Sequence, residues 1–167
     1  GSESFLPSSE RFCVISLGAD DRSRAGLLEL ISKWKEVGYD VELFLKDQHE
    51  GLDKFCSSKI KNIVVINKNT VPSFLLLDYF SYAIKKDKDY KLIYCDGNIR
   101  TADGRRDSPF FKPSWSPHLF FEFDFISDCF AVNDHDLRRY YDRVSDVSAD
   151  NISSFLLNYL YELDSSK

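Results

Sequence analysis

The fold class is decided by residues 11–46, RFCVISLGADDRSRAGLLELISKWKEVGYDVELFLK. Residues 11–17 are a short apolar run rich in β-forming residues, bounded by Gly18, and residues 40–46 alternate apolar side chains with polar or aromatic neighbours. Between them, apolar residues recur at helical spacing up to the helix-ending Gly38: Leu27, Leu28, Leu30, Ile31, Trp34 and Val37. This order predicts two parallel strands joined by a right-handed helical crossover.

The same alternation continues after this unit. Residues 52–59 are weakly patterned and predict a short helix, and residues 61–67, KNIVVIN, predict a buried strand. Thr70 is a candidate cap for a helix with an early proline, Pro72, and residues 90–95 predict a fourth strand. The inward stripe of that helix is Leu76, Phe80, Ala83 and Ile84. Ligands bind beyond the carboxyl ends of the strands in open α/β sheets of this kind.

The last part of the chain predicts one more strand and two more helices. Residues 125–132, FISDCFAV, predict a fifth strand, and residues 134–144 predict a short, charged helix. Residues 150–163 predict a longer helix that docks on the domain through one apolar face: Ile152, Phe155, Leu156, Tyr159, Leu160 and Leu163. The predicted fold class is α/β, an open, mostly parallel sheet flanked by helices.

Composition and length predict one domain. The chain has 167 residues, of which 43% are hydrophobic, enough to bury a core without disulfides. Residues 1–10 predict a tag or linker, and residues 11–164 a single domain. Gly1-Ser2 is typical of an expression scar, and the sequence has no methionine, so we expect the piece to come from a longer chain whose other domains are its partners.

Charge and cysteine usage narrow the class of protein. A net charge of −5 argues against nucleic acid as the main partner. No apolar run approaches the ~18 residues that a transmembrane segment needs, which predicts a soluble protein. The cysteine usage predicts a reducing, cytoplasmic location, with attachment to the inner membrane face as an alternative. The four widely spaced cysteines, Cys13, Cys56, Cys95 and Cys129, favour buried reduced thiols, with zinc or disulfides as the alternatives.

Residues 94–124 are the part of the sequence that points to a function. Asp96 follows a predicted strand beside Gly97 and Asn98, where its carboxylate can hold a divalent cation or a sugar hydroxyl, although a tight turn explains the same residues and carries more weight. The loop beyond it is rich in aromatic and basic residues. Its candidate substrate contacts are Arg105, Arg106, Lys112 and Trp115. Its aromatic residues either pack the loop onto the sheet or form a stacking wall for sugar rings or a nucleotide.

The sequence of this segment resembles a block of bacterial family-2 glycosyltransferases that build O-antigen and other surface polysaccharides. Here it reads YCDGNI at residues 94–99 and DGRRDSPFFKPSWSP at residues 103–117. In the family it runs roughly Tyr-Ser-Asp-Glu-Asp-Lys-Ile, Gly-Lys-Arg, Pro-Phe-Phe-Lys-Pro-Asp-Trp-Ser-Pro-Asp. The resemblance extends to residues 71–89 and 125–137 on either side, and to the helix of residues 150–163.

The resemblance implies a GT-A fold, a nucleotide-sugar donor, a glycan acceptor and a divalent cation, Mn²⁺ or Mg²⁺, held by a DxD motif. It also implies inverting transfer with a carboxylate base that deprotonates the acceptor hydroxyl. Carried over by position, Asp150 corresponds to the base, Asp47 to the residue that reads the base of the donor, and Asp96 to a residue that binds donor and metal.

Several family motifs are altered in this chain. Asn67-Lys68-Asn69-Thr70 stands where the family has an Asp-x-Asp-Asp metal motif, and Asp150 alone remains of an acidic pair. Around Asp96, Gly97 and Asn98 replace acidic residues of the family block. The sequence therefore predicts a glycosyltransferase-like domain with weakened or lost catalysis. The alternatives are an active enzyme that uses Asp47, Asp96 and Asp150, and a structural module that binds partners through its Phe-rich face.

Overall fold

The structure is a computed structural model that describes residues 9–46, 62–68, 70–100, 103, 105–114, 116–133 and 150–165. Its strands are β1 (Arg11–Leu17), β2 (Asp40–Lys46), β3 (Asn62–Ile66), β4 (Leu92–Tyr94), β5 (Gly97–Arg100), β6 (Arg106–Phe110) and β7 (Cys129–Asn133). Its helices, numbered in chain order, are α1 (Asp21–Glu36), α2 (Leu76–Lys86), α3 (Pro117–Glu122) and α4 (Ile152–Ser165). Within these ranges, no helix combines the length and the apolar character needed to cross a bilayer.

Five strands form one mixed sheet in the order β2-β1-β3-β7-β4, and β5 and β6 form a separate hairpin. β1 pairs in parallel with β2 and with β3, whereas β7 is antiparallel to both of its neighbours, β3 and β4. β4 therefore runs in the same direction as β1, β2 and β3. The fold is α/β as predicted, and most strands of the described sheet share one direction, with β7 inserted against it.

The first strand–helix–strand unit forms as its sequence predicts. β1 ends at Gly18, which has a φ of 64° that favours glycine. Asp20 caps α1, because its carboxylate accepts a hydrogen bond of 2.7 Å from the backbone N–H of Ser23. That bond is the main reason why the pKa of Asp20 lies below 3.8. Gly38, with a φ of 102°, then turns the chain into β2.

The sheet is covered on both faces, so the core has two layers. Successive residues of β1 point to opposite faces: Phe12 and Val14 pack with the buried residues of α1 and α2, and Cys13 and Ile15 pack with those of α4. Both layers contain large side chains with at most 2% exposure, listed as Trp34, Leu77 and Phe80 on one side and Ile126, Ile152, Leu156 and Tyr159 on the other. This burial holds α4 on the sheet, as its apolar stripe predicts.

The amino-terminal edge of the sheet contains a closed polar network around Asn62, the first residue of β3. Asn62 Nδ2 donates to Glu10 Oε2 and to the carbonyl oxygen of Arg11, at 3.2 and 3.0 Å. Tyr90 donates its hydroxyl to Asn62 Oδ1 at 2.6 Å, and Lys88 Nζ lies 3.0 Å from Glu10 Oε1. The Asn62 side chain is only 2% exposed. Both its NH₂ group and its carbonyl oxygen have hydrogen-bond partners, so its polar groups are satisfied although they are buried.

Some sequence predictions about element bounds are wrong. The helix expected after Thr70 begins at Leu76 and has no side-chain cap; Thr70 instead donates its backbone N–H to the carbonyl of Asn67. The last strand begins at Cys129 rather than residue 125, because Asp124 holds a turn by accepting the backbone N–H groups of Ile126 and Ser127.

Other elements were not predicted at all. The β5–β6 hairpin and α3 lie in the segment that the sequence analysis treats as loop. Within that segment, Asp96-Gly97-Asn98 is not a tight turn, since Gly97 and Asn98 begin β5. The short helices predicted at residues 52–59 and 134–144 lie outside the described residues.

Candidate functional site

A cleft of about 1220 Å³ opens at the carboxyl ends of β3 and β4. One wall is formed by residues 70–79, which lead into α2, and the other by Tyr94–Gly97 and Lys112–Ser114. Asp128 and Cys129, at the start of β7, also line it. Since ligand sites in proteins commonly span about 300–1,000 Å³, this edge cleft is large enough for a small ligand.

The first wall is fixed from behind by α1. Trp34, which is completely buried, donates its indole N–H to the carbonyl oxygen of Phe74 at 2.7 Å. Tyr39, just after α1, donates its hydroxyl to Asp78 on α2, and burial together with this contact raises the pKa of Tyr39. The extended segment before α2 and the first turns of the helix are therefore held against the body of the domain.

Two carboxylates lie close to the ends of neighbouring strands, since Asp96 follows β4 by two residues and Asp128 directly precedes β7. The antiparallel register pairs Leu92 with Val132 and Tyr94 with Phe130. Asp96 and Asp128 both contact Lys112, so a cation lies beside the two carboxylates and offsets part of their negative charge.

Lys112 compensates both carboxylates. Its Nζ lies 2.5 Å from Asp128 Oδ1, and its backbone N–H donates to Asp96 Oδ1 at 2.7 Å. The Lys112 side chain is only 2% exposed, whereas that of Asp128 is 48% exposed. We call these three residues, Asp96, Lys112 and Asp128, the Lys112 clamp.

The β5–β6 hairpin delivers Lys112 to this position. The hairpin pairs Gly97, next to Asp96, with Phe110, so the chain that leaves β6 returns to the end of β4. Tyr94 then donates its hydroxyl to the carbonyl oxygen of Pro113 at 2.5 Å. Burial is the main cause that raises the pKa of Tyr94, and the charge of Asp96 adds to it. The proline-rich loop is thus tied to the sheet on both sides of Lys112.

Two thiols lie beside the clamp. Cys95 precedes Asp96 and Cys129 follows Asp128, and neither of them forms a disulfide, nor does Cys13. Burial raises the pKa of Cys95, the charges of Asp128 and Asp96 raise it further, and Lys112 partly offsets them. The pKa of the fully buried Cys129 is raised well above 9.0, again mainly by burial. Cys13 and Cys129 are buried as predicted, whereas Cys95 is only partly buried; their reduced state stays a prediction, and Cys56 lies outside the described residues.

Of the predicted site residues, the structure brings together Asp96 and Lys112. Arg105 is exposed, and its guanidinium contacts Asp103 at 2.6 Å. It does not belong to the cleft lining as far as the structure describes it. Asp47 and Trp115 lie outside the described residues, and the side chain of Arg106 is likewise not described. The sequence analysis missed Asp128; its signal was a lone carboxylate inside the apolar run FISDCFAV.

Asp150, the predicted base, lies at the same edge of the sheet but does not line the described part of the cleft. Lys68, two residues beyond β3, has its Nζ 3.5 Å from Asp150 Oδ1, and the Asp150 side chain is 89% exposed. Next to it, Ser153 in the first turn of α4 donates its hydroxyl to Asp124. These contacts fix the start of α4 near the carboxyl end of β3.

The described aromatic residues of the loop fall into a buried and an exposed group, and the predicted stacking wall stays a prediction. Phe120 and Phe125 are buried and meet edge to face, with ring centroids 5.8 Å apart. Phe125 also contacts Tyr94 in the same way at 5.9 Å. In contrast, Phe111 and Phe123 are 75% and 56% exposed. Packing therefore explains Phe120 and Phe125, whereas much of the side-chain surface of Phe111 and Phe123 is exposed.

The described donors at the cleft do not fit a divalent cation. Asp96 and Asp128 supply carboxylate oxygens, which Mg²⁺ and Mn²⁺ accept, but the ammonium group of Lys112 already contacts Asp128 and repels a second cation there. The described ranges contain no group of three or more His, Cys, Asp or Glu side chains that could hold a metal ion. We therefore assign no chemical step to a metal at this position.

The sequence feature behind the expected family is the proline-rich loop of residues 109–117. The resemblance to family-2 glycosyltransferases rests on that loop and stays a prediction from the sequence. A comparison with known proteins finds no matching family model, no similar curated protein and no similar solved structure.

Proposed function

We propose that this chain is a glycosyltransferase-like domain of the GT-A type, part of a cytoplasmic protein of bacterial surface-polysaccharide synthesis, with weakened or lost catalysis of its own. Its ligand site is the edge cleft. An α/β sheet with a cleft at the carboxyl ends of its strands supports the first part of the proposal, because ligands bind there in open α/β sheets. The sequence block at residues 94–117 supplies the resemblance.

The Lys112 clamp is the observation that carries the proposed loss of catalysis. An active enzyme of the resembled family needs carboxylates that are free to hold a metal–diphosphate. Here Asp96 accepts a backbone N–H and Asp128 is paired with an ammonium group at 2.5 Å. A dication at Asp128 would have to approach or displace the ammonium group of an almost completely buried lysine side chain, which makes metal-dependent donor binding there unfavourable.

One observation favours the second candidate, an active inverting enzyme. The contact of 3.5 Å between Lys68 and Asp150 brings the predicted base to the carboxyl edge of the sheet, where an acceptor hydroxyl would have to lie. The high exposure of the Asp150 side chain leaves it accessible to such a hydroxyl. Under this candidate, Asp150 deprotonates the acceptor.

A third candidate, a structural module, is favoured by the exposed rings of Phe111 and Phe123. Aromatic side chains are enriched at protein–protein interfaces, and these two lie outside the core that Phe120 and Phe125 help to form. Under this candidate, the domain holds a neighbouring domain of its parent chain and needs no ligand in the cleft.

Calorimetric titration with a panel of nucleoside diphosphates, each with and without Mn²⁺ or Mg²⁺, separates the first two candidates. We expect no metal-dependent binding in the micromolar range. The variant Asp96→Ala removes the carboxylate that the resemblance assigns to donor and metal. Glu29→Gln, an exposed carboxylate of α1 outside the cleft lining, is the matched control.

Metal-dependent micromolar binding that Asp96→Ala abolishes and Glu29→Gln preserves would refute the loss of catalysis and establish the second candidate. Complete absence of binding by protein with the circular dichroism and cooperative unfolding of a folded domain would exclude the active enzyme for this chain. Asp150→Asn provides a further check. It should leave any donor binding intact, since Asp150 would act on the acceptor.

A further inference from the structure

Beyond the proposed function, and independently of it, the floor of the edge cleft carries a pair of thiols. We propose that Cys95 and Cys129 form a reversible disulfide across β4 and β7, which makes the cleft floor a modification site for small disulfides of the glutathione type. The inference rests on the strand register, the shared face of the sheet and the free state of both thiols.

The register places the two cysteines directly opposite each other. β4 and β7 pair Leu92 with Val132, Ile93 with Ala131 and Tyr94 with Phe130. The next pair in this antiparallel register is Cys95 with Cys129. Opposite residues on antiparallel strands have Cα atoms about 4.5 or 5.5 Å apart, and both values fall within the range of about 4.4–6.8 Å that disulfides span.

The two side chains also share one face of the sheet. Cys129 belongs to the buried cluster that includes Val64, Ala131 and the residues of α1 and α2, and Cys95 packs against the same cluster. Cys13, in contrast, belongs to the cluster on the other face. The sheet therefore separates Cys13 from the pair, and Cys95 and Cys129 are each other's nearest candidates among the described cysteines. Cys95 is the more accessible of the two, being only partly buried.

The chemistry is thiol–disulfide exchange. The thiolate of Cys95 attacks one sulfur of oxidised glutathione, whose S–S bond breaks and releases one glutathione thiolate. The thiolate of Cys129 then attacks the Cys95 sulfur of the mixed disulfide and releases the second. The two protons of the protein thiols end on the two released glutathione molecules. The protein loses two electrons, and oxidised glutathione gains them.

The surroundings make this reaction slow at neutral pH and reversible. Thiolates are the reacting species, and burial together with Asp96 and Asp128 disfavours them, while Lys112 acts in the opposite direction. The pair therefore stays reduced during short exposure and oxidises under sustained or alkaline conditions. Once formed, the bond closes a loop that contains the β5–β6 hairpin, Lys112 and α3, which fixes one wall of the cleft to its floor.

The test uses the full chain with Cys56→Ser, which removes the one cysteine whose position is not described. The protein is incubated with millimolar oxidised glutathione at about pH 9, close to the ordinary thiol pKa, and then analysed by mass spectrometry before and after digestion. We expect a loss of the mass of two hydrogen atoms and a peptide that links Cys95 to Cys129. The melting temperature should rise by several degrees, because the cross-link restricts the unfolded chain, and should return after reduction.

Two variants control for the assignment. Cys95→Ser should abolish both the linked peptide and the rise in melting temperature, whereas Cys13→Ala should preserve both. Stable glutathione adducts on Cys95 without a link to Cys129 would overturn the proposal, because they show that the second thiol cannot reach the first. A link that involves Cys13, or two unreacted thiols after complete treatment of folded protein, would overturn it equally.

Discussion

The two ends of the sheet each hold a lysine paired with a carboxylate, but they use the pair differently. At the amino-terminal edge, Lys88 contacts Glu10, and the rest of the network, centred on Asn62, is buried and closed by hydrogen bonds on all sides. At the carboxyl edge, Lys112 is the buried member, and its partner Asp128 is half exposed and faces the cleft. The polar groups of the first end are enclosed within the fold, and those of the second end line the cleft.

This difference between the two ends separates polar residues that stabilise the fold from polar residues that line the cleft. A buried amide with every partner in place stabilises one chain arrangement, since any alternative leaves a polar group without a hydrogen bond. Two carboxylates that share one lysine retain a net negative charge, and Asp128 exposes part of that charge to solvent. Only the second arrangement can exchange its contacts for those of a ligand.

The largest effect is expected at the closed end. Asn62→Ala removes three hydrogen bonds and leaves the buried hydroxyl of Tyr90 and the carboxylate of Glu10 with fewer partners, so we expect a loss of about 2–3 kcal/mol in the free energy of unfolding. Urea unfolding measures it. Tyr90→Phe, which removes only one of these bonds, should cost about 1 kcal/mol. Equal losses in the two variants would contradict a network centred on Asn62.

An intermediate effect on the free energy of unfolding is expected when a lysine is replaced by methionine, separately at each end of the sheet. Lys112→Met removes the cation that lies beside Asp96 and Asp128 and should cost about 1–2 kcal/mol, between the values typical of exposed and buried pairs. Lys88→Met should cost less than about 1 kcal/mol, because the Lys88 side chain is 65% exposed.

Urea unfolding of the two lysine variants provides the comparison. Adding Asp128→Asn to Lys112→Met should recover part of the loss, because it removes one of the two negative charges. If the double variant is less stable than Lys112→Met, repulsion between Asp96 and Asp128 is not the cause of the loss.

The smallest effect concerns Asp124, which supports the carboxyl edge. Burial alone would raise the pKa of Asp124, but hydrogen bonds from Ser127, Ser153 and the backbone of Ile126 outweigh it and hold the pKa below 3.8. A lowered pKa means that the stabilisation is present above pH 3.8 and is lost as the pH falls through the folded-state pKa. Asp124→Asn should therefore cost about 1 kcal/mol at neutral pH and less below pH 3.8.

Unfolding curves of wild type and Asp124→Asn, recorded from neutral pH to below pH 3.8, test this dependence. Ser153→Ala should show a smaller loss in the same direction, since it removes only the contact to α4. A difference between wild type and Asp124→Asn that stays constant across the whole series would mean that the charge of Asp124 does not contribute.

The sequence predicts the elements that local patterns define. β1, α1 and β2 have nearly their predicted bounds because Gly18, Asp20 and Gly38 give each boundary a local cause. The β5–β6 hairpin was not predicted because Pro109 is unfavourable in a strand and is tolerated here in a two-stranded ribbon, opposite Asn98.

The candidate site was predicted only in part, because its central contacts are long-range. Asp96 was found from its place after a strand. Its pairing with Asp128 depends on the register of β4 against β7, and the approach of Lys112 depends on the hairpin. No short stretch of sequence indicates the register of β4 against β7 or the position of the hairpin. The Lys112 clamp can therefore be recognised only once the pairing of the strands is known.

The position of β7 also sets the order in which this domain can form. Among the described strands, β4 pairs in the sheet with β7 alone. The β5–β6 hairpin and α3 lie between these two strands in the chain. During synthesis, β1, β2 and β3 can associate early, but β4 has no place in the sheet until residue 133 has left the ribosome. Because such distant pairings slow folding, we expect the cleft to mature in the last step, after the parallel strands have formed a scaffold without it.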